Sequence, residues 1–126
     1  MKELICGMIA ALIAYGCNKL LLRWQGDKAI IYTVPLVEEV SKSLTAYFIS
    51  GGLILTHIIF GIIEALYDLI HTKSEKVGFI AAIMSIVSHG IFGILTAYLY
   101  KWTGMILLSI FITAISHSLW NYFITK

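Results

Sequence analysis

The sequence predicts an all-α protein that crosses a membrane several times, on the strength of its composition and its long apolar segments. Hydrophobic residues make up 60% of the 126 residues, charged residues 13%, and the mean hydropathy is +0.91. A soluble domain has about 25% charged residues. Helices satisfy their own backbone hydrogen bonds in lipid, which makes them the natural form for such segments. We therefore expect a single transmembrane domain over residues 1–126. The net charge of +2 is small and scattered, which argues against a nucleic-acid partner.

Five apolar segments have about the length that a helix needs to cross a bilayer, which is about 20 residues. Polar residues 23–28, 71–76 and 101–104 separate three pairs of neighbouring segments, and the paired glycines Gly51 and Gly52 separate the second from the third. Pro35 suits the first turn of a helix, where its missing N–H costs nothing. The predicted helices cover residues 4–22, 29–50, 53–70, 77–100 and 105–124.

The distribution of lysine and arginine predicts the orientation in the membrane. Five spans place the two termini on opposite sides, and cytoplasmic loops carry the excess of basic residues. The basic side is the one with the C-terminus, so we expect the N-terminus outside and the C-terminus in the cytoplasm. We expect this membrane to be a prokaryotic cell membrane. The basic side carries Lys19, Arg23, Lys28, Lys73, Lys76 and Lys126, and the other side carries Lys2 and Lys101.

The second segment contains three charged residues in its middle, Glu38, Glu39 and Lys42. A charged group at the centre of a span costs roughly 2.5–3.5 kcal/mol on insertion scales. Lys42 lies within helical reach of both glutamates but pairs with one of them, which leaves the other free. Ionisable groups inside a membrane are by default functional, so these residues form a candidate site.

The third, fourth and fifth segments each add polar groups near the middle of the span. The third carries His57, Glu64 and, closer to its end, Asp68 and His71 at helical spacing. We expect a polar core built by the second to fifth segments, with the first segment beside it. The other members are His89 in the fourth segment and His117 with Asn121 in the fifth.

This set of side chains predicts acid–base chemistry on water. A glutamate can take a proton from water, a histidine can orient that water, and His or Asn side chains can stabilise an oxyanion. The same groups match a catalytic zinc set, with Glu38, Glu64, His89 and His117 as ligands, although nothing in their spacing requires a metal. The cofactor is therefore either absent or a divalent metal such as zinc.

Four short motifs resemble those of the PrsW-type intramembrane proteases, which are relatives of the CPBP family of CAAX proteases and bacteriocin-processing enzymes. Residues 38–42 fit Glu-Glu-Xaa-Xaa-Lys, and residues 60–64 fit Phe-Xaa-Xaa-Xaa-Glu. His89 matches an isolated histidine, and residues 117–121 fit His-Xaa-Xaa-Xaa-Asn. The motifs occur in the family's order, each in its own apolar segment.

The resemblance implies a glutamate-dependent endopeptidase acting on a membrane-embedded protein or peptide. By analogy Glu38 would activate water with His89 or Glu64, and Glu39 would be tied to Lys42. His117 and Asn121 would bind the carbonyl oxygen, and His57 is a supporting residue. A proton or cation transporter, or a non-catalytic scaffold or immunity protein, is the alternative, and the oligomeric state is left open.

Overall fold

The structure is a computed structural model that describes residues 1–125. This part of the chain forms six helices and no strand. Four of these helices, Lys2–Gln25, Leu53–His71, Glu75–Thr103 and Ile106–Ile124, are long and apolar enough to cross a membrane. The predicted all-α membrane class is thus confirmed. The helices are α1 (Lys2–Gln25), α2 (Lys28–Tyr32), α3 (Val34–Ile49), α4 (Leu53–His71), α5 (Glu75–Thr103) and α6 (Ile106–Ile124).

The segment predicted as one helix over residues 29–50 is two helices, α2 and α3, which meet at Thr33. Pro35 lies in the first turn of α3 and cannot donate a helical hydrogen bond back into α2. The 16 residues of α3 include the three charged residues of this segment, and α3 is shorter than each of the four candidate spans. Its charged side chains are buried, whereas Leu36, Val40 and Phe48 are exposed. The charges therefore face the bundle and not the surroundings.

The chain turn after α3 differs in detail from the expected glycine turn. The residue in the left-handed conformation is Ser50, with φ of 57°. The following Gly51 is required for another reason, because a Cβ there would lie 2.9 Å from the Sγ of Cys6. The turn is thus packed directly against α1.

Helix α1 is a full member of the bundle and does not merely lie beside it. It packs against both α3 and α4, and its buried face consists of small residues, Cys6, Gly7, Ala10 and Ala14. A Cβ at Gly7 would lie 2.5 Å from the side chain of Ile59. Small residues allow close approach of helices in membranes. The bundle is completed by α6, which packs against α3 and α5, and by α5, which packs against α4.

Helices α4 and α5 contact each other through two reciprocal glycine–histidine pairs. A Cβ at Gly61 of α4 would lie 3.0 Å from the Cβ of His89, and a Cβ at Gly93 of α5 would lie 2.8 Å from the Cβ of His57. Each helix therefore presents a bare backbone to a histidine of its partner. This close approach brings both buried histidines into the centre of the bundle.

We expect Gly93→Ala to destabilise the protein by about 1–3 kcal/mol, as overpacking of a filled core does. The new methyl group would meet His57 and also the Cα of Ile54 at 3.2 Å, which is backbone and cannot rotate away. Gly90→Ala is the matched control, since its Cβ would meet only Ile58 at 3.9 Å. Unfolding by SDS in bicelles measures both. Equal stability of the two variants would contradict the close packing.

Candidate functional site

A cavity of about 960 Å³ lies within the bundle and receives side chains from every helix named above. Its wall is formed by the second halves of α4 and α6, the first half of α5 and much of α1. Most of the lining is apolar. Five of the six predicted catalytic residues reach it, namely Glu38, Glu64, His89, His117 and Asn121.

Glu38 is buried, with 4% of its surface exposed, and its two carboxylate oxygens have different surroundings. Its Oε1 accepts a hydrogen bond of 2.9 Å from the Nδ2 of Asn18. Its Oε2 lies 3.9 Å from the Nε2 of His117, which is beyond hydrogen-bond distance. One oxygen is therefore held in place, while the other faces the histidine across a gap.

Glu39 is fully buried and does not line the cavity. Neighbouring residues on a helix point about 100° apart, so Glu38 and Glu39 have separate environments. Glu39 accepts hydrogen bonds from the Nζ of Lys42 at 2.7 Å and from the Nδ1 of His117 at 3.0 Å, and its other oxygen is 3.0 Å from the Nε2 of His57. These contacts make Glu39 the centre of a buried network and not a group open to a substrate.

The hydrogen bond to Glu39 determines which nitrogen of His117 carries the proton. A carboxylate only accepts hydrogen bonds, so the Nδ1 of His117 is the donor. In the neutral ring the Nε2 then carries a lone pair, and this is the atom that lies 3.9 Å from Glu38. A buried carboxylate that fixes an imidazole tautomer is the arrangement that prepares a histidine to accept a proton.

His89 connects Lys42 to Glu64. The Nζ of Lys42 donates to the Nδ1 of His89 at 2.8 Å, and the Nε2 of His89 donates to Glu64 Oε2 at 2.5 Å. The hydroxyl of Ser85 donates to the same Glu64 oxygen at 2.7 Å. Lys42 also lies 4.5 Å from the centre of the Phe60 ring, which favours its positive charge. Both nitrogens of His89 are thus engaged.

Two asparagines make hydrogen bonds at the edge of the site, and only Asn121 was predicted from the sequence. The Nδ2 of Asn121 donates to the backbone carbonyl of Ile30 at 2.9 Å and so holds α6 to α2. Asn18 in the last part of α1, which is not among the predicted site residues, donates to Glu38. It continues the buried line of Ala10 and Ala14 at a spacing of four residues, and this helical spacing could have revealed it.

The remaining polar residues of α4 differ in how deeply they are buried. His57 is fully buried against Glu39, and Asp68 is partly exposed on the cavity wall. His71 is exposed and stacks on Tyr67 with ring centres 3.9 Å apart. Asp68 and His71 therefore lie outside the buried network.

The predicted zinc set fits these positions poorly. Glu38, His89 and His117 offer ligand atoms within 4.8 Å of one another. Tetrahedral zinc with Zn–N distances of about 2.0–2.1 Å needs ligand atoms about 3.4 Å apart. His89 would also have to release either Lys42 or Glu64 to provide a lone pair. The proposed chemistry of the site therefore involves no metal.

Comparisons with known proteins do not assign the chain to a group. No family model matches it, and neither a curated protein nor a solved structure matches it. The resemblance to the PrsW-type proteases thus depends on the motif residues alone.

Proposed function

We propose that this protein is an intramembrane endopeptidase that hydrolyses a peptide bond with a water held between Glu38 and His117. The supporting observation is that Glu38 Oε2 and His117 Nε2, two hydrogen-bond acceptors, lie 3.9 Å apart on the wall of an apolar cavity. A water that lies about 2.8 Å from each of these atoms can donate one hydrogen bond to Glu38 and the other to His117. Its lone pair is then free to attack a carbonyl carbon.

In the proposed mechanism Glu38 is the general base. It takes a proton from the water as the tetrahedral intermediate forms and returns it to the leaving amine. Glu39 holds His117 in the tautomer that accepts a hydrogen bond from the water. His117 would thus bind the water and not the carbonyl oxygen, which differs from the role that the family resemblance implies. The second N–H of Asn121 is available for the oxyanion.

The proposed substrate is an apolar membrane-embedded segment of a protein or peptide. The cavity wall includes Met8, Leu12, Phe60 and Ile63, which favour apolar side chains. The cavity extends to Lys19 and to Leu22, in the last part of α1. By the positive-inside rule this basic end faces the cytoplasm.

The experiment is cleavage of synthetic membrane-spanning peptides by the purified protein in liposomes, read by mass spectrometry. We expect cleavage within the apolar segment, and we expect it to persist after treatment with a zinc chelator, since the site provides no free imidazole of His89 for a metal. Metal analysis of the same sample is the control. One equivalent of zinc together with loss of cleavage on chelation would contradict the metal-free mechanism but keep the protease.

A proton transporter is the second candidate, and one observation favours it. A continuous chain of hydrogen bonds runs from the cavity towards the start of α4, and it is buried except at Glu64. It links Glu64, His89, Lys42, Glu39 and His57. Such chains of ionisable groups carry protons in membrane transporters. Proton flux into the same liposomes, without cleavage of any peptide, would favour this function. If the liposomes show no proton flux and no cleavage, a scaffold or immunity protein is favoured.

A further inference from the structure

The ring of His57 has hydrogen-bond acceptors on both sides. Its Nδ1 is 2.8 Å from the backbone carbonyl of Leu53, and its Nε2 is 3.0 Å from Glu39 Oε2. The side chain is fully buried, so water does not provide another partner. A carbonyl oxygen cannot donate, and therefore the Nδ1 carries a hydrogen.

The contact between His57 and Glu39 must also contain a proton. Two unprotonated acceptors 3.0 Å apart would repel each other in a medium of low dielectric constant. The proton is either on His57 Nε2, which makes the ring an imidazolium, or on Glu39. In both cases the two side chains together carry no net charge.

The surroundings of Glu39 favour the ionised carboxylate. Its Oε1 already accepts a hydrogen bond from the ammonium group of Lys42 and another from His117. Donors that converge on a carboxylate stabilise its negative form, and charge-assisted hydrogen bonds are the strong ones. The structure therefore assigns His57 as an imidazolium cation that is the counter-ion of Glu39. It is a positioning residue that acts on the cavity through Glu39 and His117.

This assignment changes the pairing of charges in the core. Lys42 contacts Glu39, but His57 already balances the charge of Glu39. The charge of Lys42 is balanced by Glu64 through the intervening His89. Of the three glutamates at the core, Glu38 is then the one that has no cation of its own.

Nitrogen-15 NMR of the histidine rings tests the assignment on the folded protein and needs no substrate. The chain contains four histidines, and the full-length protein in nanodiscs at neutral pH would be labelled at their ring nitrogens. We expect His57 to show two one-bond ¹⁵N–¹H correlations, one for each nitrogen. His89 and His117 are the internal comparison, since each has one acceptor nitrogen and should show one correlation.

Variants identify the signals. His57→Gln should remove the pair of correlations that we assign to the imidazolium. If that variant does not fold, His71→Gln, His89→Gln and His117→Gln identify the other three rings, and His57 follows by elimination. A single correlation for His57 would overturn the assignment, because the proton would then lie on Glu39. This result is independent of the proposed peptidase, which could fail while His57 proves to be a cation.

Discussion

Glu38→Gln is expected to lower the rate of peptide cleavage by a factor on the order of 10²–10⁴, the usual contribution of a general base. The amide keeps the shape of the side chain and can still accept the hydrogen bond from Asn18, but it cannot take a proton from water. The measurement is the single-turnover rate in liposomes with a peptide that the unmodified protein cleaves.

The change should leave the fold intact, because Glu38 makes one hydrogen bond at a typical net value of about 1 kcal/mol. Glu75→Gln is the control for the loss of a carboxylate, since Glu75 is exposed in the first turn of α5 and does not line the cavity. Normal cleavage by folded Glu38→Gln would show that Glu38 is not the base. Loss of cleavage in both variants would point to an effect of net charge.

Glu39→Gln is expected to have the largest effect on stability, a loss of about 3–5 kcal/mol in the free energy of unfolding. Removal of one partner from a buried charge pair leaves the other charge uncompensated. The glutamine offers one acceptor and one amide group to three donors, Lys42, His57 and His117. Unfolding by SDS in bicelles, followed by circular dichroism, measures the loss.

Comparing the losses in the free energy of unfolding for Glu38→Gln and Glu39→Gln separates the effect of burial from the effect of the hydrogen-bond network. Both glutamates are buried in adjacent positions of α3, but Glu38 has one hydrogen bond where Glu39 has three. The double variant Glu39→Gln with Lys42→Met should be more stable than the sum of the single changes predicts, because each single change already removes the same 2.7 Å contact between Lys42 and Glu39. Equal losses for Glu38→Gln and Glu39→Gln would contradict a central role of Glu39.

Most residues of the polar cluster could be predicted from the sequence. An ionisable residue in an apolar segment avoids the free-energy cost of contact with lipid only in the interior of the bundle. Glu38, Glu64, His89 and His117 each lie within an apolar segment of their own, and the cost of exposing them to lipid directs them to the interior. The same reasoning predicted the close contact of Lys42 with a glutamate one turn away, since helical geometry alone determines that distance.

The different roles of Glu38 and Glu39 could not be predicted from the chemistry of the residues. The family resemblance suggested them, but the residues themselves offer two equivalent carboxylates. Their difference arises from what α1, α4 and α6 place beside each one. Asn18 reaches Glu38, whereas His57 and His117 reach Glu39.

What the sequence determined by itself is therefore the class of the protein and the content of its core. Apolar length and the cost of buried charge are local quantities that can be read along one segment at a time. Only the tertiary structure decided that the Nδ1 of His117 carries the proton and that Asn121 holds α2 in place. It also decided that Glu38 and His117 face each other across a gap of 3.9 Å. These properties depend on atoms from helices far apart in the chain, whose close approach is set by glycines such as Gly61 and Gly93 and not by any one segment.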